Sequence, residues 1–114
     1  MTHPAIQNLS PSVSVCGQLD PAAMNWAAEQ GYKSVINNRP DFEGGPDQPT
    51  NEAIAAAAKE AGLEYRFLPV AGNYQSPAEI EAFAALLAEL PAPVLAFCRS
   101  GARSTKLFVA AQNL

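Results

Sequence analysis

Residues 93–104 read Pro93-Val94-Leu95-Ala96-Phe97-Cys98-Arg99-Ser100-Gly101-Ala102-Arg103-Ser104, an apolar run that turns abruptly into a loop with one cysteine, one glycine and two arginines. An apolar run with no polar residue on either face is what a strand covered on both sides requires, so 93–97 is expected in the middle of a parallel sheet. From Arg103 onward Thr105, Leu107, Phe108 and Ala111 can continue as a helix. Strand, tight loop and helix in that order predict an open α/β sheet with Cys98 at the carboxyl end of a strand.

The alternation extends back through the chain as βαβαβαβα. Val13-Ser14-Val15-Cys16 fits a short strand, and Asp20-Pro21 followed by Gly31 predicts a helix over 21–30 with Met24 and Trp26 facing the core. Residues 33–37 form a second strand; the proline- and glycine-rich stretch 39–50 breaks both kinds of ladder and makes a long loop. Thr50 caps an alanine-rich helix over 51–61 that stops at Gly62, and 63–70 supplies a third strand. Ser76-Pro77-Ala78-Glu79 is a capping box with proline at the first helical position, opening a helix over 77–89 whose buried face carries Ile80, Phe83, Leu86, Leu87 and Leu90.

With 114 residues, the whole of 1–114 is expected to form one domain. The net charge is −4 and the seven Lys and Arg are scattered, which argues against a nucleic-acid surface or a polybasic membrane surface. No apolar stretch approaches the roughly 18 residues of a bilayer span, and no export signal is visible at Met1-Thr2-His3-Pro4, so a reducing cytoplasm is the expected location. One histidine and two cysteines give no metal-ligand spacing, and no metal or organic cofactor is expected.

The chemistry concentrates in the loop. A cysteine at the amino end of a helix, next to arginine, gains thiolate character; Gly101 lets the backbone fold around an anion, and Arg103 offers a planar fork of donors to an oxyanion. The amides of Arg99, Ser100, Gly101 and Ala102 complete the cradle, and Ser104 is placed to hydrogen-bond the Cys98 sulfur. The bland alternative, a small buried cysteine ending a strand, leaves two arginines at a buried strand end without a reason.

Cys98 to Ser104 resembles the active-site loop of rhodanese-type sulfurtransferases and also the anion-binding loop of cysteine-dependent protein phosphatases. Four residues separate Cys98 from Arg103, one fewer than in the phosphatase pattern, a smaller ring suited more to a persulfide sulfur than to a phosphate. Val35-Ile36-Asn37-Asn38-Arg39-Pro40-Asp41, Gly62-Leu63-Glu64-Tyr65 and Gly17-Gln18-Leu19, taken with the Cys98 loop, resemble the phosphatase-like domain of beta-lactamase-hydrolase-like proteins over nearly the whole chain. The resemblance implies a dual-specificity-phosphatase-like, three-layer α/β fold: a mainly parallel sheet of four to five strands with helices on both faces. It also implies a link to a persulfide-oxidising metallo-β-lactamase-like protein, here as a separate partner. Phosphatases of that fold take their general acid from the loop after the third strand, which here reads Val70-Ala71-Gly72-Asn73-Tyr74-Gln75 and holds no carboxylate. Such help is worth about 10²–10⁴-fold, so a phosphatase lacking it is slow unless Asp41 or Glu43 substitutes.

Arg39 and Asp41 lie beyond the second strand, where Arg39 can bind substrate anion and Asp41 can orient an arginine; the alternative is an internal salt bridge that shapes the loop. Cys16 is expected to fill the core more than to resolve an oxidised Cys98. Tyr74 and Phe42 pack over the sheet edge or rim the substrate, and His3 sits in a frayed terminus without a catalytic role. The leading expectation is a sulfurtransferase in which Cys98 carries a persulfide between a donor and a thiol or cyanide. The alternative is a phosphoester hydrolase working through a Cys98 phosphoenzyme, with small-molecule or protein substrates. A third reading is a phosphate- or sulfate-binding module without turnover.

Overall fold

The structure is a computed structural model and describes residues 3–114. The elements in chain order are β1 (Gln7–Asn8), β2 (Val13–Cys16), α1 (Ala23–Glu29), β3 (Ser34–Asn37), α2 (Asn51–Glu60), β4 (Glu64–Phe67), α3 (Pro77–Glu89), β5 (Val94–Phe97) and α4 (Ala102–Gln112). They form a three-layer, single-domain α/β fold around one five-stranded sheet in the order β1-β2-β5-β3-β4. The apolar 94–97 run is the central strand, paired in parallel with β2 on one side and β3 on the other.

Only β1 runs antiparallel, pairing Gln7 with Val15 and Asn8 with Ser14. This strand is absent from the sequence reading because two exposed residues carry no alternation. Leu9 and Ser10 turn the chain into β2, both amides donating to the Val13 carbonyl.

The two faces of the sheet bury different residues, as period-two alternation requires. Cys16, Val35, Leu95 and Phe97 pack against α1 and α2 through Met24, Ala27, Ile54 and Ala58. Val15, Ile36, Val94 and Ala96 pack against α3 and α4 through Phe83 and Leu107, with Ile80, Leu86, Leu87 and Phe108 alongside. Met24 is fully buried and Trp26 partly so, and the His3 ring stacks on Trp26 with centroids 4.2 Å apart, so His3 is packed rather than frayed.

Helix starts follow local chemistry. Asp20 Oδ1 accepts from the Ala23 amide at 2.9 Å, Thr50 Oγ1 from Ala53, and Ser76 and Glu79 form the reciprocal capping box. The helix expected from residue 21 begins at Ala23 because Pro21 and Ala22 form a turn.

Strand register positions the site. Cys16 pairs with Phe97, Phe97 with Asn37 and Asn37 with Phe67, so the four parallel strands end in one row. The segments beginning at Gly17, Asn38, Leu68 and Cys98 therefore emerge side by side at the carboxyl edge, where open α/β sheets gather ligands.

Candidate active site

Cys98 follows β5 directly and is 1% exposed. The chain turns at Ser100 and Gly101 and enters α4 at Ala102. Gly101 sits at φ 95°, and a Cβ there would lie 3.3 Å from the carbonyl carbon and oxygen of Cys16, so both backbone conformation and space demand glycine. This turn aims the Gly101 amide at Cys98 Sγ, 3.1 Å away. Burial pushes the thiol up, but the amides of Ser104, Ser100 and Gly101 and the Ser104 hydroxyl outweigh it, and Cys98 is held below the ordinary thiol range. The charged form of the sulfur is favoured at the amino end of an eleven-residue helix.

Cys16, by contrast, is pushed up to about 12 by burial and by the charge of Cys98. It stays a protonated thiol in the core beneath α1 and α2.

Arg103 is 8% exposed and points away from solvent. Its Nη1 donates to Glu43 Oε2 at 3.1 Å and to the Val70 carbonyl at 3.0 Å, while Nη2 donates to Glu43 Oε1 at 3.0 Å. Arg39 Nε donates to the same Oε1 at 2.9 Å, so one carboxylate bridges two guanidinium groups. The slight burial of Glu43 raises its carboxyl and the two arginines overcome that effect, leaving it below the usual carboxylate range. Arg103 Nε is buried and, among the described residues, has no hydrogen-bond partner. A buried donor of a charged group without an acceptor costs free energy.

Arg39, Glu43, Gly44, Arg99 and Arg103 line a cavity of about 460 Å³ over this edge. Three guanidinium groups against one carboxylate make it electropositive, although the chain as a whole is acidic. A cavity of equal volume at the opposite edge, lined by Asn8, Leu9, Ser10, Pro11, Ser14, Gln30, Tyr32 and Pro93, holds no charged side chain. The charged lining is thus at the Cys98 edge.

Three amide side chains hold this edge together. Asn38 is 0% exposed; its amide donates to the Phe97 carbonyl at 2.8 Å, its Nδ2 to the Leu68 carbonyl at 3.0 Å, and its Oδ1 accepts from the Ser104 hydroxyl at 2.8 Å. Gln18 Oε1 accepts from Arg39 Nη1 at 3.1 Å, tying the segment after β2 to the segment after β3. Gln48 closes the 39–50 loop on itself, accepting from the Gly44 amide at 2.7 Å and donating to the Pro40 carbonyl at 2.9 Å. A Cβ at Gly44 would come within 2.6 Å of Arg39 Nη2, and one at Gly72 within 3.0 Å of Arg103 Nη2. Both glycines let the arginines pass.

Most of the residues singled out from sequence meet here: Cys98, Arg99, Ser100, Gly101, Ala102, Arg103, Ser104 and Arg39. Arg99 and Ser100 are exposed, and the Ser100 hydroxyl accepts from the Ala102 amide at 3.4 Å. One role changes. Asp41 Oδ1 accepts from the Asn51 amide at 2.7 Å and anchors the start of α2; among the described residues no arginine hydrogen-bonds to it. The Ser104 hydroxyl donates to Asn38 Oδ1 at 2.8 Å and, with the Ser104 backbone amide, also helps to hold the Cys98 thiol down. Asn38, Gln18 and Gln48 were given no role at the site from sequence, and Glu43 only that of a substitute acid; the partners of these residues lie up to 66 residues away. Among the described residues no group of three or more His, Cys, Asp or Glu could hold a metal ion, and no helix is long and apolar enough to cross a membrane.

The family described as "Beta-lactamase hydrolase-like protein, phosphatase-like domain" matches residues 5–114. A beta-lactamase hydrolase-like protein of Xylella fastidiosa is 40% identical over 103 residues, covering 90% of this chain and 24% of the relative. The chain therefore spans about a quarter of the length of the curated relatives it matches. The crystal structure of a candidate phosphatase from Neisseria meningitidis superposes with a TM-score of 0.83 at 31% identity, covering 94% of this chain and 78% of that one. Tk-PTP, in a mutant form, superposes with a TM-score of 0.76 at 17% identity, covering 94% of this chain and 69% of that chain, a likeness of fold alone.

Proposed function

We propose that this chain, which belongs to the phosphatase-like domain family of the beta-lactamase hydrolase-like proteins, is a cysteine-dependent phosphoester hydrolase. The observation that carries the reading is the Cys98 loop itself, whose Gly101 amide lies 3.1 Å from the sulfur and which leads into Arg103, a buried arginine whose Nε has no hydrogen-bond partner among the described residues. Attack by Cys98 on phosphorus forms a thiophosphate ester, and water then cleaves it, a two-step route that needs no metal or organic cofactor. Arg103 Nε and the loop amides face the oxyanion, where fixed donors act most strongly in a water-poor site. The phosphatase-like fold supports this reading over the sulfurtransferase expected from loop length.

One observation favours sulfur transfer as the second reading: only four residues lie between Cys98 and Arg103. In that reading Cys98 carries a persulfide, and a separate metallo-β-lactamase-like partner oxidises the sulfur it delivers.

Intact-mass spectrometry separates the two. The purified chain is exposed briefly to an aryl phosphate and separately to thiosulfate, with Cys98→Ser as control. A phosphate adduct on the parent and released phenol, both lost in the control, support the hydrolase. A gain of one sulfur discharged by added thiol, without phenol release, overturns it.

A further inference from the structure

We propose that Glu43 is the general acid and base of this site, an inference that rests on the phosphoester-hydrolase reading. The first ground is elimination by position. The segment 70–75 beside Arg103 holds no carboxylate, and among the described residues Glu43, not Asp41, is the carboxylate in the wall of the electropositive cavity.

The second ground is placement. Both Glu43 oxygens accept from the Arg103 guanidinium, at Nη2 and Nη1, and the two residues line the same cavity. The loop that presents it is built rather than loose. Gln48 clamps Gly44, Asp41 fixes the far side, and Phe42 immediately before it holds φ 64°, a left-handed backbone rare for a bulky residue. Such outliers persist where the surroundings over-determine them, often at functional sites. Its side chain is 28% exposed, open enough to reach a leaving group in the cavity.

The third ground is charge. In the free protein Arg39 and Arg103 hydrogen-bond to Glu43 and hold its carboxyl below the usual carboxylate range, with Arg99 also facing the cavity and the Cys98 sulfur on the adjoining loop. A phosphoryl group arriving on Arg103 brings negative charge to the same guanidinium groups, weakens what they give the carboxylate and favours its protonated form. The proton is then available only when substrate is bound.

The steps balance. Cys98 Sγ bonds to phosphorus as the ester P–O bond breaks; its electron pair stays on the leaving oxygen, which takes the Glu43 proton. A water oxygen then bonds to phosphorus, the S–P pair returns to Sγ, and the water proton goes to Glu43; the proton taken up with the substrate is given back as phosphate leaves, so Glu43 returns to its free-protein form with one water consumed.

The test compares the parent with Glu43→Gln and Glu43→Asp on aryl phosphates whose phenols range from strongly to weakly acidic, across pH, with thermal unfolding of each protein. For Glu43→Gln the expected loss in kcat is about 10²–10⁴-fold on the weakly acidic phenol and far smaller on the strongly acidic one, and the alkaline limb of the parent's profile disappears. Glu43→Asp regains part of the loss. A uniform loss on all phenols, the mark of a residue that only orients Arg103, or no loss, overturns the inference while leaving the hydrolase intact. A parent inert toward every ester removes the hydrolase reading and this inference with it, before any variant is compared.

Discussion

The Ser104 hydroxyl donates to Asn38 Oδ1 at 2.8 Å, a buried bond that locks the first turn of α4 to the end of β3 across 66 residues of chain. Asn38 at the same time holds the Leu68 carbonyl, so one side chain sets the spacing of three segments around Cys98. Asn38→Ala leaves the Leu68 carbonyl and the Ser104 hydroxyl without their partner, at about 1–3 kcal/mol for each buried group stranded. Combined with Ser104→Ala, the losses are expected to fall short of additive by about 0.5–3 kcal/mol. Urea unfolding of the single and double variants measures this; strictly additive losses would show that the two residues act separately.

Arg103→Lys keeps the positive charge and removes the planar fork together with Nε. A lysine ammonium cannot serve Glu43 Oε1, Glu43 Oε2, the Val70 carbonyl and an incoming oxyanion in the geometry the guanidinium provides. The expected loss in kcat/KM toward aryl phosphates is about 10²-fold or more, with Cys98 still alkylated at near the parental rate. Near-parental turnover would mean that charge alone suffices.

Gly101→Ala forces a Cβ onto a backbone at φ 95° and to within 3.3 Å of the Cys16 carbonyl. The strain is expected to lower stability by about 1–3 kcal/mol and to turn the Gly101 amide off the sulfur. Loss of that donor moves the pH at which iodoacetamide reactivity of Cys98 appears upward. A stable variant with an unchanged alkylation profile would refute the assignment of this amide as a thiolate donor.

The two cysteines shape alkaline stability in opposite senses. Cys98, lowered on folding, contributes stability that is complete above the unfolded thiol pKa of about 8.5 and fades as pH falls through its folded value. Cys16, raised to about 12, contributes below the unfolded value, and that contribution is lost as pH climbs toward 12. Between pH about 8.5 and 10, before Tyr65, itself raised to about 12, joins in, Cys16 tilts stability downward by at most about 1.4 kcal/mol per pH unit. Cys16→Ala should flatten that slope in urea midpoints taken across the window, whatever its effect on absolute stability. An unchanged slope would remove Cys16 as its source.

The sulfurtransferase expectation came from counting residues between Cys98 and Arg103, a local measure. The fold likeness to phosphatases and the orphaned Arg103 Nε favour the hydrolase that the same reading held as its alternative. Asp41 shows the limit of locality from the other side: two residues from Arg39 in sequence, it turns to cap α2, while Glu43, two residues further on, reaches both arginines.

What the sequence determined by itself was the set of features written in neighbouring residues: the apolar 94–97 strand at the sheet centre, the capping box at Ser76, and a cysteine, a glycine and an arginine at the strand-to-helix turn. Hydrophobic period, capping and turn chemistry act over a few residues, so they are legible in one dimension. The tertiary structure alone decided which distant side chains complete the site. Strand register ends Cys16, Phe97, Asn37 and Phe67 in a single row, and only that row brings Gln18, Asn38, Glu43 and Val70 to Arg39, Ser104 and Arg103. Hydrogen bonds between residues 21 to 66 positions apart depend on sheet order and side-chain direction, which no local pattern encodes.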